Sequence, residues 1–341
     1  MAPRSWWKRP ILKLILPKPE NALHHIEETL RKIQHGIIRT PCVKSEFFSK
    51  LMDMEIYLKK ENLQYTGSFK ARGALSAIKN LSKLEKINGI VAVSSGNHAL
   101  ALAYHAMHLG IPFTAVMPSS ASNVKIRRSQ ECGANVLVNG KFFEEAQSYA
   151  IKLANKSGLK YIDSDDNTSV VFGQGTVALE ILKDVADIDA ILVPGTGGLI
   201  AGTTLAIKAK NPNIKIIGVK VDMNVDSDNK EPFNIPAEFL ASVGDTGTIA
   251  AELVKSQVDD FIYVNADMVA VAMLHLFEHD NIIVECSAAV GLAALRSEKL
   301  KYLQGKKVVT VLTGGNIEMK DFSLVLNRAR FLQNRLANCM R

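Results

Sequence analysis

Residues 89–117, GIVAVSSGNHALALAYHAMHLGIPFTAVM, join two β-branched runs through a polar, glycine-bearing loop and an Ala/Leu-rich stretch of helical length. They read as strand GIVAV (89–93), loop SSGNH (94–98), a helix to about Leu109 and strand PFTAVM (112–117). A helical crossover returns the chain to the same edge, so the two strands are parallel: one βαβ unit. The pattern recurs in DAILVP (189–194), GTGGLIAGTTLAIKA and IKIIGVKV (214–221), and again in NVLVN (135–139), a helix near 142–157 and YID (161–163). KKVVTVL (306–312) is a further buried strand that ends in TGGN. Continuous apolar strands alternating with helices define a parallel α/β architecture. Ligands of such sheets bind beyond the carboxyl ends of the strands, where SSGNH, GTGGL and TGGN all fall.

The chain has 341 residues, 47% hydrophobic and 22% charged, with no apolar run long enough to span a bilayer. A single core stops growing at roughly 250–300 residues, so two lobes with a cleft are expected. Lys and Arg exceed Asp and Glu by 41 to 34, a net +7 concentrated in residues 1–20 and in Arg328, Arg330, Arg335 and Arg341. No aromatic-interleaved basic stripe or zinc-finger spacing accompanies it, so neither nucleic-acid nor membrane binding is expected. Cys42, Cys132, Cys286 and Cys339 are far apart and form no C-x-x-C pair, which fits a reducing compartment better than a disulfide framework. The N-terminus is a poor secretory signal because Lys13 interrupts its apolar stretch. The expected location is cytoplasmic, with a mitochondrial presequence as the alternative.

Gly195-Thr196-Gly197-Gly198 lies between a strand and a helix, and can be read as a phosphate cradle or as a tight turn packed on the sheet. The G-x-G-x-x-G dinucleotide spacing is not met. Lys70, in TGSFKARGA (66–74), begins a helix against the macrodipole, either as a solvated lysine or as an amine with an anionic or covalent partner. A lysine amine, a phosphate loop and further glycine loops together are what an aldehyde-phosphate cofactor needs. The pairs His275/His279 and His105/His108 have helical spacing but lack H-E-x-x-H, so they read as ordinary helix histidines and no metal site is expected.

ENLQYTGSFKARGA (61–74), SSGNHALALAYHAMHLGIPFTAVMP (94–118), GQGTVALEIL (173–182), GTGGLIAG (195–202) and LTGGN (312–316) occur in the order and spacing of one family. The chain thereby resembles the pyridoxal-phosphate enzymes of the tryptophan-synthase-β fold (fold type II), within them the serine/threonine dehydratase and serine racemase group. The resemblance implies an open parallel-sheet architecture in two domains, with pyridoxal 5'-phosphate in the cleft between them. A small domain, 89–158, would be inserted into a large cofactor domain of 21–88 and 159–335, flanked by a basic extension (1–20) and a tail (336–341).

In that family Lys70 would form the Schiff base, with Phe69 packed on the cofactor ring and Asn97 bonded to its phenolic oxygen. Gly195, Thr196, Gly197, Gly198 and Leu199 would hold the phosphate, and Thr313 would face the pyridine nitrogen. Ser94, Ser95, Gly96, Asn97 and His98 would bind the substrate carboxylate. Ser95 is either a second proton-transfer group, as in racemases, or a carboxylate ligand alone. The implied activity is dehydration (ammonia release) and/or racemisation of L-serine, L-threonine or a similar β-hydroxy amino acid, by a homodimer. A cysteine-synthase-like β-replacement, suggested by GTGGL, and a catalytically silent ligand-binding relative are the alternatives.

Several positions depart from the family. Lys220 stands where racemases carry a cation-binding glutamate, so its ammonium is expected to replace the cation and pair with Asp226. Asp163-Ser164-Asp165-Asp166 replaces a His-Pro segment, and Cys286 and Ala289 replace the usual Pro and Gly. About 25 residues follow TGGN, so feedback control through the regulatory domain of longer threonine dehydratases is not expected.

Overall fold

The computed structural model describes residues 19–195, 197–222, 250 and 257–339. The chain enters through α1 (Pro19–Ile33), β1 (Cys42–Lys44), α2 (Glu46–Met52), β2 (Glu55–Lys59), α3 (Lys70–Lys79) and α4 (Lys83–Asn88). It continues through β3 (Ile90–Val93), α5 (Asn97–His108), β4 (Phe113–Met117), α6 (Asn123–Glu131), β5 (Asn135–Val138), α7 (Phe143–Ser157) and β6 (Lys160–Tyr161). α8 (Thr168–Asp184), β7 (Ala190–Pro194), α9 (Gly198–Lys210) and β8 (Lys215–Val221) follow. Beyond residue 257 come β9 (Asp260–Val264), α10 (Ala266–His279), α11 (Cys286–Ala294), β10 (Lys307–Val311) and α12 (Met319–Cys339).

The strands form two sheets, ordered β1-β2-β10-β7-β8-β9 and β5-β4-β3-β6. Apart from the antiparallel β1–β2 pair, every neighbouring pair is parallel. The period-two alternation of each strand divides its side chains between two cores. Ala190, Leu192, Ile217, Val219 and Val308 join the core containing α10 and α11. Ile191, Val193, Ile216, Val309 and Val311 join the core containing α8 and α9. Both faces are covered, which is why these strands read as unbroken apolar runs. In the second sheet Ile90, Ala92 and Ala115 face one core while Val91, Val93 and Val116 face another. Among the described residues no helix is long and apolar enough to cross a membrane.

Two features set the position of α3, whose first residue is Lys70. A Cβ on Gly173 would lie 2.6 Å from the carbonyl oxygen of Arg72, and a Cβ on Gly202 would lie 2.5 Å from the amide nitrogen of Gly175. Helix α8 therefore touches α3 and α9 backbone to backbone, which only glycine permits. Beneath α3, the fully buried Arg72 makes paired hydrogen bonds to Glu61 (2.8 and 2.7 Å) and to Glu180 (2.8 and 2.7 Å). Lys59, also fully buried, donates to Glu180 at 2.6 Å and to the carbonyl of Thr40 at 2.6 Å. Burial disfavours the Glu61 carboxylate, but the charge and hydrogen bonds of Arg72 outweigh it and keep the carboxyl below its ordinary range.

Candidate active site

Three helix N-termini meet in the region between the sheets: those of α3, α5 and α9. In none of them does the N-cap residue's own side chain cap the helix. Lys70 stands at the first, half-buried, with Nζ 3.2 Å from the carbonyl oxygen of Ser164 and 3.4 Å from Asp165 Oδ1. Its ammonium also lies 5.2 Å from the ring centroid of Phe69, which is packed against the core of α8 and α9.

The second N-terminus follows β7. Gly195 adopts φ +90°, and a Cβ placed there would meet nothing within 4 Å. Gly197 precedes α9, and Gly198 and Leu199 open it, both buried. Thr196 lies outside the described residues. The amide of Gly198 donates to Asp165 Oδ1 at 2.9 Å, and a Cβ on Gly197 would sit 2.6 Å from the Asp165 carboxyl carbon. A carboxylate thus already uses this end of α9 as an anion site. Desolvation opposes its charge, yet the Lys70 ammonium, the Gly198 amide and the Ser164 hydroxyl prevail and hold the carboxyl at about 2.

The third N-terminus carries the loop 94–98. Ser94 Oγ accepts the amide of Gly96 at 3.0 Å, Ser95 is half-buried, and the stem of Lys125 packs directly over Gly96. Asn97 is clamped: its Nδ2 donates to both oxygens of Glu285 (2.8 and 2.9 Å), and its Oδ1 accepts from Asn316 at 2.9 Å. Asn316 also donates to the Thr66 carbonyl at 2.8 Å and accepts from Arg128 at 2.6 Å. Glu285 further accepts from Ser287 at 2.8 Å and faces the Lys125 ammonium at 3.8 Å. The Ser287 hydroxyl lies 3.2 Å from that of the buried Thr313, so one polar chain runs from Thr313 to Arg128.

The structure therefore joins Lys70 to Gly198 through Asp165 and Asn97 to Thr313 through Glu285 and Ser287, and the Phe69 amide donates to the Thr313 carbonyl at 3.0 Å, which links the two groups. His98 can serve the loop only through its backbone. Its ring is 3% exposed, and burial first, then the Lys70 charge, lower its pKa to about 4, so it is a neutral residue under the loop whose backbone amide alone belongs to the helix end. Lys220 lies with Nζ 4.8 Å from the Phe261 ring centroid, and its expected partner Asp226 lies outside the described residues. Among the described residues no group of three His, Cys, Asp or Glu is placed to hold a metal. His279 stacks on Phe47 with 3.7 Å between ring centroids, and burial lowers the pKa of His105 to about 4. Glu285, Asn316, Lys125 and Arg128 were not expected at the site. Asn316 ends the TGGN motif and Glu285 begins ECSAAVG, the only sequence signals for them.

A lysine amine, an anion cradle and a third helix end suited to a carboxylate define the site of a pyridoxal-phosphate enzyme acting on amino acids. The family described as pyridoxal-phosphate dependent enzyme matches residues 33–314, and the chain belongs to it. An L-threonine ammonia-lyase of Thermotoga maritima is 39% identical over 317 residues, covering 90% of this chain and 78% of that protein. A catabolic L-threonine dehydratase of Staphylococcus aureus is 39% identical over 320 residues, covering 89% and 92%. Among solved structures, the processed threonine deaminase isoform 2 of Solanum lycopersicum superposes with a TM-score of 0.83 at 29% identity, covering 92% and 90%. A serine racemase of Dictyostelium discoideum does so with 0.79 at 33% identity, covering 87% and 99%. The fold is thus that of fold type II, and the cofactor is pyridoxal 5'-phosphate. The residues fit it: Lys70 would supply the amine, and the Asp165 carboxylate at Gly198 shows that this end of α9 accepts an anionic oxygen.

Proposed function

We propose that this chain is a dehydratase (ammonia-lyase) of L-threonine and L-serine. The observation that carries the reading is the meeting of Lys70 with two glycine-bearing helix N-termini, in a chain 39% identical to an L-threonine ammonia-lyase. When bound, the cofactor delocalises the electron pair left at Cα on loss of its proton. The amides of Gly197, Gly198 and Leu199, with Gly195 and Thr196, hold the phosphate, and Phe69 packs beside the ring. Thr313 offers a neutral hydroxyl to the pyridine nitrogen, which moderates the sink and favours elimination. Asn97, clamped by Glu285 and Asn316, meets the phenolic oxygen. Ser94, Ser95, Gly96, Asn97 and the amide of His98 hold the substrate carboxylate. Lys70, as a free amine, would take the α-proton, that proton would pass to the departing β-hydroxyl so that it leaves as water, and hydrolysis by one water would give the oxo acid and ammonia.

Racemisation is the second reading, supported by Ser95 on the loop and by the 33% identity to a serine racemase. A proton delivered from Ser95 to the face opposite Lys70 would give the other enantiomer. We further propose a homodimer, a small domain of 89–158 within a large domain of 21–88 and 159–335, and a cytoplasmic location in keeping with the bacterial dehydratases. The presequence alternative concerns residues 1–18, outside the described residues.

The test is incubation of the full-length protein with L- and D-serine and threonine, following ammonia, oxo acid and chirality, beside Lys70→Ala. Ammonia and oxo acid from the L-forms, with loss of the lysine-bound cofactor absorbance in the variant, is the expected result. No turnover of any β-hydroxy amino acid, or an unchanged absorbance in Lys70→Ala, would overturn it.

A further inference from the structure

Asp165 occupies the place where a bound anion belongs. Its Oδ1 accepts the first amide of α9, from Gly198 at 2.9 Å, and lies 3.4 Å from the Lys70 ammonium. Its carboxyl group rests against Gly197, where no other residue would leave it room. The local chain aims it there. Asp163 Oδ1 accepts the amides of Asp165 (2.9 Å) and Asp166 (2.8 Å), forming a turn between β6 and α8, and Ser164 Oγ donates to Asp165 Oδ2 at 2.7 Å. One carboxylate therefore spans the two features that a phosphate-bearing aldehyde must use together, the cradle and the amine.

We propose that Asp165 is an internal competitor for the cofactor phosphate, a residue that sets how tightly and how fast this chain takes up pyridoxal 5'-phosphate. The proposal rests on the reading of Gly197–Leu199 as the phosphate cradle. A phosphate and a carboxylate are both anions, and the N–H of Gly198 cannot serve both in one geometry, so the phosphate gains the cradle only as Asp165 turns away. The displaced carboxylate remains tethered by a short turn, and it stays close enough to rebind when the phosphate leaves. Cofactor affinity is thereby reduced by the population of the Asp165-bound cradle.

The experiment uses the full-length protein, stripped of cofactor and titrated calorimetrically with three probes: inorganic phosphate, pyridoxal 5'-phosphate and pyridoxal, which has no phosphate. Asp165→Ala removes the competitor, and Asp165→Asn keeps its size while removing the charge. Removing one charge-assisted contact is expected to tighten phosphate and pyridoxal 5'-phosphate by about tenfold in Asp165→Ala, with a smaller gain in Asp165→Asn. Pyridoxal affinity is expected to stay within about twofold, because it makes no use of the cradle. Unchanged or weaker phosphate binding in Asp165→Asn would overturn the proposal, as would an equal gain for pyridoxal, which would place the effect at Lys70. Failure of every form to bind pyridoxal 5'-phosphate more tightly than pyridoxal would instead refute the cradle itself.

Discussion

Replacing Arg72 by Met tests the anchor beneath Lys70. The substitution removes the hydrogen bonds to Glu61 (2.8 and 2.7 Å) and Glu180 (2.8 and 2.7 Å) from a side chain with no exposed surface. Glu180 retains Lys59 at 2.6 Å, whereas Glu61, also without exposed surface, keeps only neutral donors, Thr40 at 2.5 Å and Gln64 at 3.2 Å. Of the neighbouring cations only Lys59 then still favours this carboxylate, and removing one partner of a buried pair costs about 3–5 kcal/mol. The double substitution Arg72→Met with Glu61→Gln removes both members of the pair and leaves Lys59–Glu180 intact, so its expected cost is only about 1–2 kcal/mol. Urea unfolding of the three proteins measures both differences. In the parent, Glu61 is held below its ordinary value of 4.5, so its contribution is present above that pH and is lost on acidification through the lowered value. In Arg72→Met the same carboxyl is pushed up by burial, so the gap to the parent narrows as pH falls. A double variant no more stable than the single, or a gap that widens in acid, would refute this account.

Three further outcomes are expected. Gly202→Ala forces a methyl group toward Val171 and Gly175, and the backbone strain, less a helix-propensity gain, lowers stability by about 2 kcal/mol in the same assay. Glu285→Gln removes the charge that Asn97 and Lys125 face, and a roughly tenfold fall in kcat with little change in KM is expected from the loss of a charge-assisted hydrogen bond. An unchanged kcat would show that Asn97 needs no such partner. Ser95→Ala is expected to abolish inversion of chirality while sparing ammonia release, and retained inversion would exclude Ser95 as the second proton donor.

The parts of the fold that local chemistry controls were legible in the chain. Strands 89–93, 112–117, 189–194 and 214–221 announce themselves because burial on both faces makes their central residues apolar, with polar side chains mainly at their ends. The strand-to-helix positions of the glycine loops and of Lys70 at a helix start were equally visible, since helix starts have compositional signatures. β9 was missed: Asp260–Val264 alternates exposed and buried residues, too short a pattern to stand out. The polar clamps were beyond sequence reasoning for another reason. Asn97 and Glu285 are 188 residues apart, as are Arg128 and Asn316, and Arg72 and Glu180 are 108 apart. Nothing local in either member specifies the other. The burial of the His98 residue, 3% exposed, was likewise not legible, because its motif position fixes the backbone of the loop and not where the ring packs.

The glycine contacts among α3, α8 and α9 have a metrological consequence. The cofactor joins its aldehyde carbon to its phosphorus through a planar ring and a short ester arm, so on the reading proposed above an amine and a cradle have to stand within a narrow range of separations. With no side chains interposed at Gly173, Gly175 and Gly202, the spacing between those helices is set by main-chain contact. The three helices act as a gauge block: their separation cannot be tuned by swapping one side chain for another, only broken. A side chain larger than glycine at any of these three positions would push α8 away from α3 or α9 and so change the distance between Lys70 and the start of α9.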